Sequence, residues 1–258
     1  MLFKFKNPKI VLDCFTSDPM AYELGKINYG KNFYPEWFKK TPLIMNNHST
    51  IRSCLGLTDF YKTGIVIPSW FSLKIDILPN EDGSIYYDYF FNSHGPGLSN
   101  HNKSQYSNFS DNTKENLKIS TPWAFRCNKN IKFVWSQPTW HDHNILSNMH
   151  LLPAVLDFYN QNTANISWMI TSKTVNSTIE INPLDPLVIL HPMTEKKVFL
   201  KNHLVSEKEY LKITSLDLSV MTDSPNHARG LYQKKIKIKQ KQKELEKCPV
   251  HSTDHTKK

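Results

Sequence analysis

Between Pro122 and Met193 the chain is cut by prolines into short apolar runs: Thr121-Pro122-Trp123, Ser136-Gln137-Pro138-Thr139-Trp140, Leu152-Pro153-Ala154-Val155-Leu156-Asp157 and Asn182-Pro183-Leu184-Asp185-Pro186-Leu187-Val188-Ile189-Leu190-His191-Pro192. Proline has no N–H and a fixed φ, so it is excluded from helix interiors and central ladder positions but tolerated at strand starts, edges and bulges. Runs this short, bounded this way, predict an antiparallel β core. None holds a nucleophile motif, a phosphate loop or a complete set of metal ligands, so they constrain architecture more than chemistry.

The rest of the pattern agrees. Phe3, Phe5 and Ile10-Val11-Leu12 predict a first strand over 2–14, ended by the turn-like Ser17-Asp18-Pro19. Further strands are expected at 51–55, 64–68 and 70–78, the last with Phe71, Leu73, Ile75 and Ile77 on one face. Asn80-Glu81-Asp82-Gly83 is turn chemistry that joins this strand to 84–91 as a hairpin. Residues 92–116, rich in Ser, Asn, His and Gly, read as a long exposed loop. Strands are expected again at 118–119, 123–127, 131–137, 151–159, 166–170, 177–181 and 187–191.

Helix is expected in two places. Pro35 and Pro42 bracket one helical turn carrying Trp37 and Phe38. After Pro192 the pattern turns helical: Ser206 with Glu209 is a capping box, and residues 228–247 suit a lysine-rich helix. Strands first and helices last predict an all-β sandwich of jelly-roll type over 1–200, with short helices, a helical annex over 201–232 and a basic tail over 233–258. Twelve per cent aromatics against only 8 glycines weigh against a nucleotide-binding α/β fold.

The net charge of +9 is unevenly placed, because residues 233–258 hold nine lysines against Glu244, Glu246 and Asp254. A nucleic-acid partner would therefore have to use the tail, through Lys234, Lys235, Lys237 and Lys239; the alternative is a plain solubilising end. Cys14, Cys54, Cys127 and Cys248 form no C-x-x-C pair, which points to neither a zinc ribbon nor a disulfide scaffold. No run approaches a membrane span, so a reduced intracellular protein with no membrane partner is expected.

Two constellations could carry chemistry. On a strand, His141 and His143 of Trp140-His141-Asp142-His143 would share one face; with His150 or His191 as third donor they could hold a divalent Fe, Mn or Zn in a jelly-roll oxygenase or isomerase. The cupin carboxylate after H-x-H is missing, and a polar turn with solvent-facing histidines is the competing reading. The second is Asp157, whose place before a downstream turn and apolar strand is similar in order to deoxyuridine triphosphatases, where such an Asp positions water or sugar. That family's phosphate-binding motif around Arg-Ser, its Gly-Tyr-Arg-Gly segment and its glycine-rich C-terminal arm are absent, and a turn-capping Asp157 is the alternative. Trp123 and Trp140 are candidate binding aromatics, and Cys54 and Cys127 sit in settings typical of structural thiols.

Taken together, Tyr34-Pro35-Glu36-Trp37-Phe38-Lys39-Lys40, Arg52-Ser53-Cys54-Leu55, Gly64-Ile65-Val66-Ile67-Pro68, Thr121-Pro122-Trp123, Gln137-Pro138, Val155-Leu156-Asp157 and Pro186-Leu187-Val188-Ile189-Leu190-His191-Pro192 resemble a group of uncharacterised proteins of tailed phages, notably marine myoviruses, and some bacteria. The resemblance covers roughly residues 30–200. Members carry a glycine before the Val-x-Asp strand and a second Asp after it, where this chain has Pro153-Ala154 and Phe158-Tyr159. What it implies is a β-sandwich or jelly-roll body of unknown activity in the infected-cell cytoplasm; the overall expectation is an accessory protein there or in the virion, with a phage or host protein as partner. The resemblance supplies no catalytic residues.

Overall fold

In the computed structural model, which describes residues 9–82, 85–91, 97–101, 103–106, 113–141, 149–171, 176–221 and 236–238, the first apolar alternation forms β1 (Ile10–Thr16) with every second side chain buried. Asp18 then opens α1 (Pro19–Leu24), its carboxylate accepting the Met20 and Ala21 amides at 2.8 and 3.2 Å. The chain continues through β2 (Asn28–Tyr29), a 3-10 turn at Gly30–Phe33 and α2 (Glu36–Lys40), the helical turn expected between the prolines.

A hairpin follows, β3 (Ile44–Met45) and β4 (His48–Ser49), closed by Asn46 and Asn47 at φ 48° and 63°. Both values lie in the left-handed region that a two-residue type I′ turn needs and that Asn tolerates. The strand expected at 51–55 is instead a 3-10 turn at Ile51–Ser53 leading into α3 (Leu55–Thr63). The Thr50 hydroxyl accepts the Arg52 amide at 3.3 Å and sets the turn, while buried Leu57 and Tyr61, four residues apart, give α3 its inward face. After β5 (Ile65–Pro68), the period-two segment forms β6 (Leu73–Pro79), paired along its whole length with β7 (Ile85–Phe91).

Residues 92–116 are not one loop. They contain β8 (Gly97–Asn100) and the start of β9 (Thr113–Cys127). Fifteen residues long, β9 runs straight through Pro122, where two separate strands were expected. Pro122 is accommodated because β9 changes neighbours there, from β8 beside 117–120 to β1 beside 124–127. On its other side the pairing with β13 (Thr163–Thr171) is bulged between Thr163 and Asn165, so no ladder bond is asked of the proline.

The segment expected as one strand over 151–159 is likewise divided, with β10 (Phe133–Ser136) preceding β11 (Met149–Leu151) and β12 (Ala154–Leu156) and a turn at 158–160. Leu152 and Pro153 carry the chain from one sheet to another, since β11 pairs with β13 and β12 with β10. The remaining strands are β14 (Ser177–Ile181), β15 (Pro186–Pro192) and β16 (Val198–Leu204). Helix therefore does not begin after Pro192 but at α4 (Glu207–Met221), where the capping box forms: the Glu209 carboxylate accepts the Ser206 amide at 3.0 Å and the Ser206 hydroxyl accepts the Glu209 amide at 3.3 Å.

The strands assemble into sheets β11-β13-β9-β1-β16 with β8 also on β9, β12-β10-β15-β5-β2, β14-β6-β7 and the small β3-β4 hairpin. The fold is all-β, as the sequence predicts. One pair departs from the antiparallel expectation: β1 and β16 run parallel from Ile10↔Val198 to Thr16↔Leu204. Parallel neighbours need a crossover rather than a hairpin, and here the rest of the β body is that crossover. The three larger sheets share one core, with Trp123, Trp168, Phe125, Phe133 and Phe158 fully buried in it. A smaller cluster of Phe38, Leu57, Tyr61, Val66 and Ile189 glues α2 and α3 to the outer face of β5 and β15. Among the described residues, no helix is long and apolar enough to cross a membrane.

Candidate functional site

Strand β15 is buried from Pro186 to Leu190, and His191 lies where it emerges beside α3. The imidazole packs on the Phe60 ring at 4.5 Å between centroids, and its Nε2 is buried with no hydrogen-bond partner among the described residues. Burial lowers the His191 pKa, because a charged imidazolium is poorly solvated there. The next residue of α3, Tyr61, meets His141 edge-on at 5.9 Å. Two of the predicted metal-binding histidines are thus brought to neighbouring residues of one helix.

They arrive as aromatic packing partners. Residues 139–141 form a turn and bend rather than a strand, so His141 does not stand on the strand that a shared face with His143 assumes. His143 lies outside the described residues, and His150, on β11, is exposed. Among the described residues, no group of three His, Cys, Asp or Glu is placed to hold a metal ion.

Around this pair the rings continue. Tyr34 stacks on Phe38 at 5.0 Å and tilts against Tyr61 at 5.0 Å. Its hydroxyl donates to the Thr58 carbonyl at 3.1 Å. The Trp37 indole donates to the Trp140 carbonyl at 2.8 Å and its ring lies 6.3 Å from that of Trp140. Tyr61 is fully buried, and burial, followed by the neighbouring Tyr34, pushes its hydroxyl well above the ordinary tyrosine range. Trp140 is partly exposed at 40 %, whereas Trp123 is fully enclosed in β9 and has no surface to offer a partner. Alternation along β9 turns Trp123 inward with Phe125 and Cys127.

Asp157 sits apart from this cluster, after β12. Its Oδ2 accepts from Lys132 Nζ and from Asn160 Nδ2, the latter at 2.8 Å, while its carbonyl accepts the Asn160 and Gln161 amides at 3.0 and 2.8 Å. Burial tends to raise the pKa, but the Lys132 and Asn160 hydrogen bonds outweigh it and leave the carboxyl below its usual range. These contacts tie down the 157–161 turn, the role weighed against catalysis. Lys237 is exposed in the helical stretch 236–238; Lys234, Lys235 and Lys239 lie outside the described residues.

What sequence reasoning missed is an apolar surface beside the rings. Leu43, Ile44, Met45, Ile51 and Leu55 are 57, 66, 54, 43 and 76 % exposed across β3, the following 3-10 turn and the start of α3. The hairpin is anchored: the Arg52 guanidinium donates to the Lys39 and Thr41 carbonyls at 3.1 and 2.9 Å, and Ser53 Oγ donates to the Leu43 carbonyl at 3.1 Å. Asn46-Asn47 was the available signal, since Asn at two central turn positions marks a type I′ hairpin. No family model matches this sequence, and no curated protein matches it.

Proposed function

We propose that this protein is a phage-encoded accessory protein that works by binding, with the anchored apolar hairpin as its contact surface and another phage or host protein as its partner, in the infected-cell cytoplasm or the virion. The observation that carries this reading is Leu43, Ile44, Met45, Ile51 and Leu55 held in water on hydrogen-bonded backbone. Contiguous apolar surface is costly to leave in solvent and marks interaction sites. Lys40, in the last turn of α2, and Arg52 stand beside it, so the complementary partner surface is an apolar groove edged by carboxylates. Trp37 and Trp140 extend the patch with aromatic rings, the residue type that dominates interface energetics.

The phage assignment rests on the resemblance of residues 30–200 and on nothing in the site. Its test is photo-crosslinking from positions 44 and 55 in infected cells, with position 155, an equally exposed apolar residue elsewhere, as the control. The expected result is one phage or host protein joined at 44 and 55 but not at 155, whose binding to the purified chain is lost in Ile44→Asp/Leu55→Asp. Equal labelling at all three positions, or a concentration-dependent dimer abolished by the same double substitution, overturns the reading; the dimer would assign the surface to self-association.

A further inference from the structure

A cleft of about 430 Å³ lies at the C-terminal end of α3, bordered by Lys31, Lys62, Glu195, Lys196 and Lys197. Four lysines therefore border it against one carboxylate. They come from three places: the 3-10 turn after β2, the last turn of α3 and the β15–β16 connection, which supplies two. None of the four makes an ion pair with a described carboxylate. Lys62 faces the carbonyl end of α3, a favourable place for a cation, but the helix end asks for no more than one.

The floor is apolar and fixed. Ile65 and Val198 are buried, and the Tyr29 hydroxyl bridges to β16, donating to the Val198 carbonyl at 3.3 Å and accepting the Leu200 amide at 3.1 Å. Two ammonium groups are positioned by rings, Lys31 over Tyr29 at 5.9 Å and Lys197 over Phe199 at 5.1 Å. Like charges gathered round one concavity repel, and an anion seated between them turns that repulsion into attraction.

We propose that this cleft binds a phosphate-bearing small molecule, with the lysines on the phosphate and the non-phosphate body against Tyr29, Ile65, Pro192 and Val198. The volume matches the range of about 300–1,000 Å³ typical of small-molecule sites and suits one nucleotide-sized ligand rather than a polymer, which needs a track of charge instead of a pocket. Thr63 and Thr194 have hydroxyls at the rim, already used once each, Thr63 donating to the Asp59 carbonyl at 2.7 Å and Thr194 accepting the Lys196 amide at 3.2 Å. The site does not depend on the hairpin surface.

The test is calorimetric titration of the full chain at low salt with ATP, inorganic pyrophosphate and a 12-nucleotide single strand as probes. Saturable ATP binding is expected, weakened at least about ten-fold by Lys62→Glu/Lys196→Glu, with inorganic pyrophosphate weaker than ATP because it leaves the apolar floor uncovered. Lys74→Glu/Lys208→Glu, at exposed positions outside the cleft, is expected to leave ATP binding within about two-fold. Should the first double variant misfold by circular dichroism, Lys62→Gln/Lys196→Gln replaces it with the same expectation. The proposal is overturned by no saturable ATP binding, by equal weakening in the Lys74/Lys208 variant, or by tighter binding of the single strand that the cleft substitutions leave unchanged.

Discussion

Gly30 and Gly64 lie against each other, the Gly30 amide donating to the Gly64 carbonyl at 2.8 Å, and neither position has room for a side chain. A Cβ on Gly30 would lie 2.5 Å from the Tyr61 carbonyl oxygen; one on Gly64 would lie 2.6 Å from Ile189 Cγ2, 2.9 Å from the Phe60 carbonyl oxygen and 3.3 Å from His191 Cε1. This contact sets how closely α3 sits on β5 and β15, and so fixes both the ring cluster and the lysine cleft. Gly30→Ala and Gly64→Ala are each expected to lower unfolding stability by about 1–3 kcal/mol, as overpacking does, read from urea denaturation. Wild-type stability in both variants would show that the two segments can part without cost.

A second strained position points the other way. Leu184 has φ 71° and is 57 % exposed, at the third position of the turn Asn182-Pro183-Leu184-Asp185, closed by Asp185 N–H to Asn182 C=O at 3.1 Å. Pro then a left-handed residue is type II geometry, which favours Gly where this chain has Leu. Left-handed backbone costs an L-residue about 1–2 kcal/mol, part of which glycine gives back as unfolded-state entropy. Leu184→Gly is therefore expected to raise stability by about 0.5–1 kcal/mol. A loss of stability would mean that the Leu184 side chain makes a contribution its exposure does not suggest.

The Asp157 turn gives an acid-sensitive contribution. Asp157→Asn keeps the shape but removes the charge on which Lys132 and Asn160 converge, and is expected to cost about 1.5 kcal/mol near neutrality, toward the low end for charged hydrogen bonds because Lys132 is 44 % exposed. Because the folded pKa is depressed, the contribution is present above the unfolded carboxyl pKa of about 3.9 and disappears as pH falls through the folded value. The gap between wild type and variant should close below that window. A gap that persists at low pH would tie the effect to packing rather than charge.

Where the pattern was local, the sequence sufficed. The alternation of Leu73, Ile75 and Ile77 and the Ser206–Glu209 box are each complete within one short window, and both formed as expected. The strand reading of 51–55 failed because Gly56 and Thr58 dilute the helical signal, while the burial that makes α3 a helix, Leu57 and Tyr61 against β5 and β15, comes from residues far away in sequence. Pro122 was read as a break because its tolerance depends on a register shift in the pairing with β13, roughly forty residues downstream. The site was illegible for the same reason. Lys31, Lys62, Lys196 and Lys197 meet only once β2, α3 and the β15–β16 connection are packed, and His191 gains its partner Phe60 from another element.

His191 makes the last expectation a matter of sign. Burial depresses its folded pKa, so between that value and the unfolded histidine value of about 6.5 the unfolded chain binds the proton more tightly than the folded one. Stability contributed by the neutral imidazole is therefore intact above about pH 6.5 and is lost as pH falls from there through the folded pKa. His191→Leu removes the titration together with a buried Nε2 that has no partner among the described residues, while keeping an apolar side chain against Phe60 and Gly64. The variant should be no less stable than wild type at pH 5.5 and should show a shallower fall in unfolding free energy between pH 7.5 and 5.5, measured by urea denaturation at each pH. Every other group is common to the two proteins and cancels in the comparison, so parallel pH profiles would place the His191 imidazole in contact with water and remove the physical basis for its depressed pKa.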